Sequence, residues 1–294
     1  MEKFLHTYQR TLDKGVFLYR VQERLMLYTI ISVTAKKRKV NVCALAFMFT
    51  HIHSLLRVSS RRDAHDFWGE AISIFVRELN RDSGRKGSMF DSIGSAWKTG
   101  DKKIRSCILY IYNNSCEKKL FRRAIDDRWN FLSYAFSHNP FSKKLILRNS
   151  SAGMRAALKM VNFEEQNGRY LNLPRLRTIF SGLNKEETQQ LMDYIICRYD
   201  MIDYQSTVKY FKSPDSMLMA IDSGTGKEFD IKEEWDGDSE ITFVHLCSKA
   251  RELGLLDRDM KIYNSSPERR AELKEVFLLE TDAQSYQIDK FLHL

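Results

Sequence analysis

The period of hydrophobic and polar positions changes along the chain, and each change predicts an element. Residues 4–11 alternate in polarity, which is typical of a strand. Residues 40–48 and 50–58 are apolar and rich in β-branched and aromatic types, which favours a strand pair or one long bent strand. Residues 89–98 predict a further strand. Apolar residues recur at helical spacing in three segments: 17–36, 63–80 and 104–119.

The order strand–helix–strand–strand–helix–strand–helix predicts an α+β fold. We expect a split βαβ (ferredoxin-like) antiparallel sheet with helices on one face. Beyond this region the pattern is mostly helical, so a largely α-helical C-terminal domain is expected. Its predicted helices span 173–180, 186–199, 239–253, 267–280 and 282–292.

Residues 139–151 contain Asn-Pro and Asn-Ser-Ser, which are typical of a domain boundary. We therefore predict two domains, 1–145 and 146–294, and expect residues 1–145 to be long enough to fold alone. Residues 222–238 are rich in glycine and acidic residues and predict a loop or small hairpin. The Gly-Thr-Gly-Lys segment at 224–227 lacks the full spacing of a phosphate-binding loop.

Two histidines lie in the middle of the second apolar segment. On a strand, residues two apart project from the same face, so His51 and His53 are expected side by side while Ile52 points to the opposite layer. Two imidazoles so placed can hold one divalent metal ion. The alternative is a pair of solvated or hydrogen-bonded structural histidines. Burying two histidines in an apolar strand without partners is costly, which favours the metal site.

The helix predicted over 104–119 carries a hydroxyl and an amide on one face. Tyr110 and Asn114 are four residues apart and therefore lie one turn apart on the same side. Tyr112 points to a different side of the helix. A hydroxyl nucleophile and an amide oxygen could therefore both face the histidine pair.

These motifs together resemble the HUH single-tyrosine transposases, and among them the REP-associated tyrosine transposases. Members commonly read Met-Pro-Asn-His-x-His-Leu-Leu, where this chain has Met-Phe-Thr-His-Ile-His-Ser-Leu at 48–55. Members also read Tyr-Ile-x-x-Asn-Pro-Val, where residues 110–116 read Tyr-Ile-Tyr-Asn-Asn-Ser-Cys. The departures leave the histidines, the tyrosine and the asparagine in place. Weaker similarity extends to residues 5–11, 75–90, 129–134 and 287–292.

The resemblance implies an HUH domain that cuts and rejoins single-stranded DNA, at hairpin (REP-like) sequences, as a transposase. Tyr110 would be the nucleophile and would form a 5′-phosphotyrosine. His51, His53 and Asn114 would hold Mg²⁺ or Mn²⁺. The alternative function is a domesticated protein that binds a DNA hairpin without transposition activity. A zinc hydrolase or deaminase is not expected, because the chain lacks the necessary cysteine pair and glutamate motif.

Composition agrees with a nucleic-acid partner. The 294-residue chain has a net charge of +9, which favours a polyanion. Five cysteines without paired spacing fit a reducing compartment, so a cytoplasmic, nucleoid-associated protein is expected. No signal-peptide pattern or apolar run of transmembrane length is present, so a membrane is not an expected partner. A small-molecule substrate is not expected either. A monomer and a homodimer are both compatible with the sequence.

Cations flank the two motifs, and positive charge can follow a phosphate backbone while aromatic rings stack on unpaired bases. Two interpretations stay open: the charges contact DNA or form a solvated helix face, and Trp129 and Phe131 stack on bases or belong to the core. The candidate DNA-contacting residues are Arg57, Arg61, Arg62, Lys98, Lys102, Lys103, Lys118, Lys119, Arg122 and Arg123.

Overall fold

Four strands form one antiparallel sheet in the order β2-β3-β1-β4. In the computed structural model, which describes residues 3–223, 239–257 and 260–294, they are β1 (Lys3–Arg10), β2 (Asn41–Phe47), β3 (His51–Val58) and β4 (Gly94–Lys98). The predicted strand pair is therefore a hairpin whose turn is residues 48–50. The Gly-Thr-Gly-Lys segment and all but the first two residues of the loop predicted at 222–238 lie outside the described residues.

Three helices connect and follow these strands. They are α1 (Val21–Arg38), α2 (Arg61–Ser83) and α3 (Asp101–Glu117). The start of α2 is fixed by a capping box in which Ser60 and Asp63 each accept the other's main-chain N–H. Its end is fixed by Gly84 in the left-handed conformation. The prediction of an α+β protein is confirmed.

Short 3-10 turns follow α3, and the rest of the described chain is helical. Two helices, 173–180 and 267–280, have the predicted bounds. The helix at residues 152–166 was not predicted, although Met154, Leu158 and Val161 recur at helical spacing and are buried. The helices are α4 (Ala152–Gln166), α5 (Leu173–Phe180), α6 (Lys185–Arg198), α7 (Tyr204–Val208), α8 (Pro214–Asp222), α9 (Ile241–Glu252), α10 (Lys261–Asn264), α11 (Pro267–Glu280) and α12 (Ser285–Leu292).

Helices cover both faces of the sheet, so the expectation of helices on one face is wrong. Leu5 and Leu56 share a cluster with α1 and α2, whereas Phe4 and Leu55, their chain neighbours, share a second cluster with α3. Successive strand residues point to opposite faces. The α3 helix therefore lies opposite α1 and α2, and both sheet faces are shielded from water.

The first cluster also joins the two halves of the chain. α1 is buried on nearly all sides, because it packs on α2 and β2 and also on α5 and α6. On the other face, α8 packs against α3, where the Asn113 amide donates to the carbonyl of Ile221. The two-domain division stays a prediction, because contacts between the two halves do not show whether either half can fold alone. None of the described helices is long and apolar enough to cross a membrane.

Candidate active site

The antiparallel pairing of β1 with β3 places the strand residues of the candidate site on one face of the sheet. Arg10 of β1 pairs with His51 of β3, and Tyr8 pairs with His53. Paired residues on antiparallel strands project from the same face. His6 shares that face because it is two residues from Tyr8. A patch of polar and aromatic side chains thus lies under α3.

The two predicted histidines are neighbours, as the strand alternation requires. Their ring centroids are 4.8 Å apart and the ring planes are nearly perpendicular. His51 is partly exposed, and its Nδ1 is 3.0 Å from the Thr50 hydroxyl. His53 is fully buried. One imidazole therefore lies at the mouth of the site and the other at its base.

The α3 helix places its hydroxyl and amide over this pair. The Tyr110 ring lies 5.2 Å from the His53 ring, centroid to centroid, and the two planes are perpendicular. The Asn114 side chain, one turn further along, lies beside the His51 ring. Both α3 side chains are buried. The structure therefore brings together all four residues that the two motifs supplied, although their chemical roles stay proposals.

Local charge and burial keep the imidazoles neutral. Loss of hydration, the adjacent His53 ring and the cations Arg10 and Lys118 together hold the pKa of His51 well below its usual value, and the neighbouring Asn114 side chain acts in the opposite direction. Burial, with a smaller contribution from Arg10, lowers the pKa of His53 to about 3. Neutral imidazole is the form that binds a metal ion. Both rings are therefore in the metal-binding form at neutral pH.

The donor set fits a divalent cation. Within the described part of the chain, the side-chain oxygen of Asn114 is buried and has no hydrogen-bond partner, which is unusual for an amide. Two neutral imidazole nitrogens and one amide oxygen suit Mn²⁺, and Mg²⁺ accepts the oxygen. No group of three or more His, Cys, Asp or Glu side chains among the described residues is arranged to hold a metal. The proposed ligand set does not fall under that definition, because it contains two histidines and an asparagine.

Tyr8 and Arg10 are site residues that the sequence analysis missed. The Tyr8 ring lies directly against Gly94 of β4, where an added Cβ would be 2.0 Å from the ring. The Arg10 guanidinium lies over the same ring at 5.3 Å. The alternation of residues 4–11 placed these side chains on one face. The alternation did not show which strands would pair with β1, and so it did not show which side chains would lie next to Tyr8 and Arg10.

A residue of the helical second half forms hydrogen bonds with both the β2–β3 turn and the end of α3. The main-chain N–H of Phe49, in the turn before His51, donates to the Glu240 carboxylate at 3.1 Å. The main-chain N–H of Glu240 donates to the carbonyl oxygen of Lys118, just after α3, at 3.0 Å. Glu240 itself is buried. One residue from beyond position 146 thus links the β2–β3 turn to the end of α3.

The ten candidate DNA-contacting cations fall into two groups. Arg57 lies six residues from His51 along β3, which corresponds to about 20 Å. Lys98 pairs with Phe4 at that same end of the sheet, is almost fully buried, and precedes the start of α3. The group at this far end comprises Arg57, Arg61, Arg62, Lys98, Lys102 and Lys103. The group at the site end comprises Lys118, Lys119, Arg122 and Arg123.

Members of the two groups differ in their other contacts. Arg123 is paired with Asp222 at 2.8 Å and Arg57 is 3.7 Å from Asp203. Lys119 and Arg122 are exposed. Lys118 acts electrostatically on His51, so its ammonium lies near the site. Lys118 and the missed Arg10 are therefore the cations best placed beside the histidines.

The aromatic residues after α3 divide between the core and the surface. Phe131 is fully buried and stacks on Tyr28 with centroids 4.6 Å apart, so it belongs to the core. Trp129 is partly buried under the Arg24 guanidinium. Phe121 is exposed between the basic residues. Of these three rings, Phe121 is the one accessible to an unpaired base.

Comparison with known proteins adds little to this geometry. No protein-family model matches the chain, and no curated protein matches it. A solved structure described as the REP-associated tyrosine transposase bound to a REP hairpin is similar to it over 44% of this chain and 76% of that chain. The identity is 14% and the TM-score is 0.38. A likeness at this level carries no argument about function.

Proposed function

We propose that the protein is a metal-dependent single-stranded DNA endonuclease and strand transferase, acting as an HUH-type tyrosine transposase. The observation that carries the proposal is the placement of Tyr110 and Asn114 over His53 and His51. A nucleophile, two neutral imidazoles and an amide oxygen meet there on two packed elements.

The reaction is a transesterification at phosphorus. The Tyr110 oxygen loses its proton and attacks a phosphodiester, the bond from phosphorus to the 3′ oxygen breaks, and that oxygen leaves as a 3′-hydroxyl. The product is a 5′-phosphotyrosine. Attack by a 3′-hydroxyl reverses the step and rejoins the strand without an external energy source. Cutting and joining are therefore one reaction in two directions.

His51, His53 and Asn114 would hold the Mg²⁺ or Mn²⁺ ion. When bound, the ion would supply a Lewis acid that polarises a non-bridging phosphate oxygen. Protein side chains would attract the phosphate and position the nucleophile. Arg10 and Lys118 attract the phosphate to the site mouth, and the perpendicular packing on His53 fixes the Tyr110 ring.

The depth of the site favours a flexible substrate. Tyr110 is only 7% exposed, between the sheet and α3. A flexible single strand or an unpaired hairpin segment can bring its phosphate to such a nearly buried hydroxyl, whereas a rigid duplex is less able to do so. The net charge of +9 and the exposed Phe121 agree with a single-stranded ligand. We therefore propose single-stranded or hairpin DNA as the substrate.

The connectivity agrees with this proposal. The order β2-β3-β1-β4 places β3 between β1 and β2, and β1 between β3 and β4. We infer that the sheet is of the split βαβ kind. In that arrangement β1 and β3 are central, which explains why the site forms across them.

The proposal is tested by metal-dependent adduct formation on an end-labelled single strand. We expect a covalent protein–DNA adduct with Mn²⁺ or Mg²⁺ and none in EDTA, because the phosphate oxygen then lacks its Lewis acid. Restoring the metal should restore the adduct. The double variant His51→Ala/His53→Ala should form no adduct under either condition. The exposed His65 offers a matched control, and His65→Ala should behave as the wild type.

The outcomes separate the candidate functions. An adduct formed at full rate in EDTA would remove the metal from the proposal. Tight hairpin binding without an adduct under any condition would support the alternative, a hairpin-binding protein that does not cut. Peptide mapping of the adduct should identify one tyrosine.

The salt dependence of binding tests the cations beside the site. Each phosphate contact releases counterions, so Lys118→Ala or Arg10→Ala should weaken single-strand binding and reduce the slope of log K against log salt by about 0.7. Lys159→Ala, on the exposed surface of α4, makes the same charge change away from the site and should leave the slope unchanged. Fluorescence anisotropy at several salt concentrations measures the slopes. Equal slopes for all four proteins would exclude both contacts.

A further inference from the structure

A third histidine lies beside the proposed ligands and has no role in the mechanism above. His6 is on β1, is 1% exposed, and occupies the sheet face that carries His53. Its cross-strand partners are Leu55 and Ala96, whose side chains have no polar atoms. A buried imidazole among such neighbours is costly unless its nitrogen atoms find partners. His53 provides one.

The two rings are joined through their nitrogen atoms. Nε2 of His6 is 3.3 Å from Nδ1 of His53. The rings are nearly parallel, at 14°, with centroids 5.4 Å apart. The Tyr110 ring stands perpendicular to both, 6.0 Å from His6 and 5.2 Å from His53. His6 therefore touches both the proposed ligand and the proposed nucleophile.

The direction of this hydrogen bond decides what His53 can bind. A neutral imidazole carries one proton, on Nδ1 or on Nε2. If Nδ1 of His53 accepts, its Nε2 carries the proton and cannot bind a metal ion. If Nδ1 donates, the Nε2 lone pair is available for the metal. Metal ligation through Nε2 thus requires His6 to accept the hydrogen bond through its own Nε2.

We propose that His6 is a positioning residue that accepts the Nδ1–H of His53, and so holds His53 in the tautomer and orientation that bind the metal through Nε2. This inference rests on the proposed metal site. Partners that fix the second nitrogen of a ligating histidine strengthen metal binding, and their loss typically weakens it about 10- to 100-fold. The more common partners are carboxylates and carbonyl oxygens, whereas here a second imidazole serves.

Two variants separate an acceptor from a space-filling ring. His6→Gln keeps a hydrogen-bond acceptor in its side-chain oxygen, whereas His6→Phe fills the space without one. We expect His6→Phe to raise the Mn²⁺ dissociation constant about 10- to 100-fold. We expect His6→Gln to recover most of the wild-type affinity. Isothermal titration of the full-length proteins with Mn²⁺ gives the constants, and circular dichroism melts establish that each variant is folded.

The possible results are distinct. Wild-type protein that binds no Mn²⁺ would overturn the metal site and this inference with it. Wild-type binding with equal constants for His6→Phe and His6→Gln would overturn the inference alone and leave the metal site standing. A similar melting temperature for the two variants with different Mn²⁺ constants would support the positioning role, since a purely structural role would change stability instead.

Discussion

Replacing Tyr110 by phenylalanine is expected to abolish the covalent protein–DNA adduct and to reduce strand cleavage by at least about 10³-fold. The substitution removes only the hydroxyl, which is the proposed nucleophile. The ring keeps its perpendicular contacts with His6 and His53, because those contacts involve the aromatic face and edge. Affinity for single-stranded DNA should stay within about twofold of wild type, since cations supply most of it.

Tyr112 is the matched control, two residues along the same helix. It is fully buried, and within the described part of the chain its hydroxyl has no hydrogen-bond partner. Burial raises the pKa of this hydroxyl well above its usual value, so it is a poor nucleophile. Tyr112→Phe should leave the adduct intact and leave stability unchanged or slightly higher, because it removes an unsatisfied polar group.

The two variants are compared by denaturing gel electrophoresis of the labelled strand, with affinity measured separately. A persistent adduct in Tyr110→Phe and its loss in Tyr112→Phe would show that the helix face is assigned wrongly. Loss of both adduct and affinity in Tyr110→Phe would point to a folding defect. The thermal melt distinguishes that case.

A fragment of residues 1–145 is expected to be insoluble or to lack a cooperative thermal melt. The boundary at residue 145 led to the opposite expectation, but α1 is buried on its second side by α5 and α6. Tyr28 illustrates the dependence, since it is fully buried and its hydroxyl donates to the carbonyl of Ile196. Truncation would return this face of α1 to water.

The expected loss is large compared with ordinary stability. Burying one large apolar side chain contributes about 1.5–3 kcal/mol, and a whole domain is stable by only about 5–15 kcal/mol. Truncation also removes the apolar residues of α5 and α6 from the cluster that they share with α1, and removes α8 from α3. Glu240 would be lost as well, so the turn before His51 and the end of α3 would lose their common partner.

Co-expression provides the control for truncation. If the halves fail alone because they share a core, residues 146–294 supplied as a separate chain should recover soluble 1–145 as a complex. Solubility, the melt and adduct formation would be measured for the fragment, the complex and the full chain. A soluble fragment with a cooperative melt and undiminished adduct formation would show that the first half is an independent domain.

The sequence determined the local arrangement of the motif residues. The two-residue period of a strand placed His51 and His53 on one face, and the structure puts their rings 4.8 Å apart. The helical period placed Tyr110 and Asn114 together and Tyr112 elsewhere. These relations hold because they depend only on the backbone repeat of one element. Helix bounds set by strong local signals, such as the proline at the start of 267–280, were predictable for the same reason.

The tertiary structure alone decided how these elements meet. Periodicity shows which side of α3 is apolar, but it does not show which face of the sheet that side will cover, and the prediction of one covered face was wrong. The register of β1 against β3 brought Arg10 to His51 and His6 to His53, across some forty residues of chain. The packing of α1 between the sheet and α5 and α6 was equally hidden. Such contacts join apolar faces and strand edges that are alike locally, so only the free energy of the whole packing selects among them.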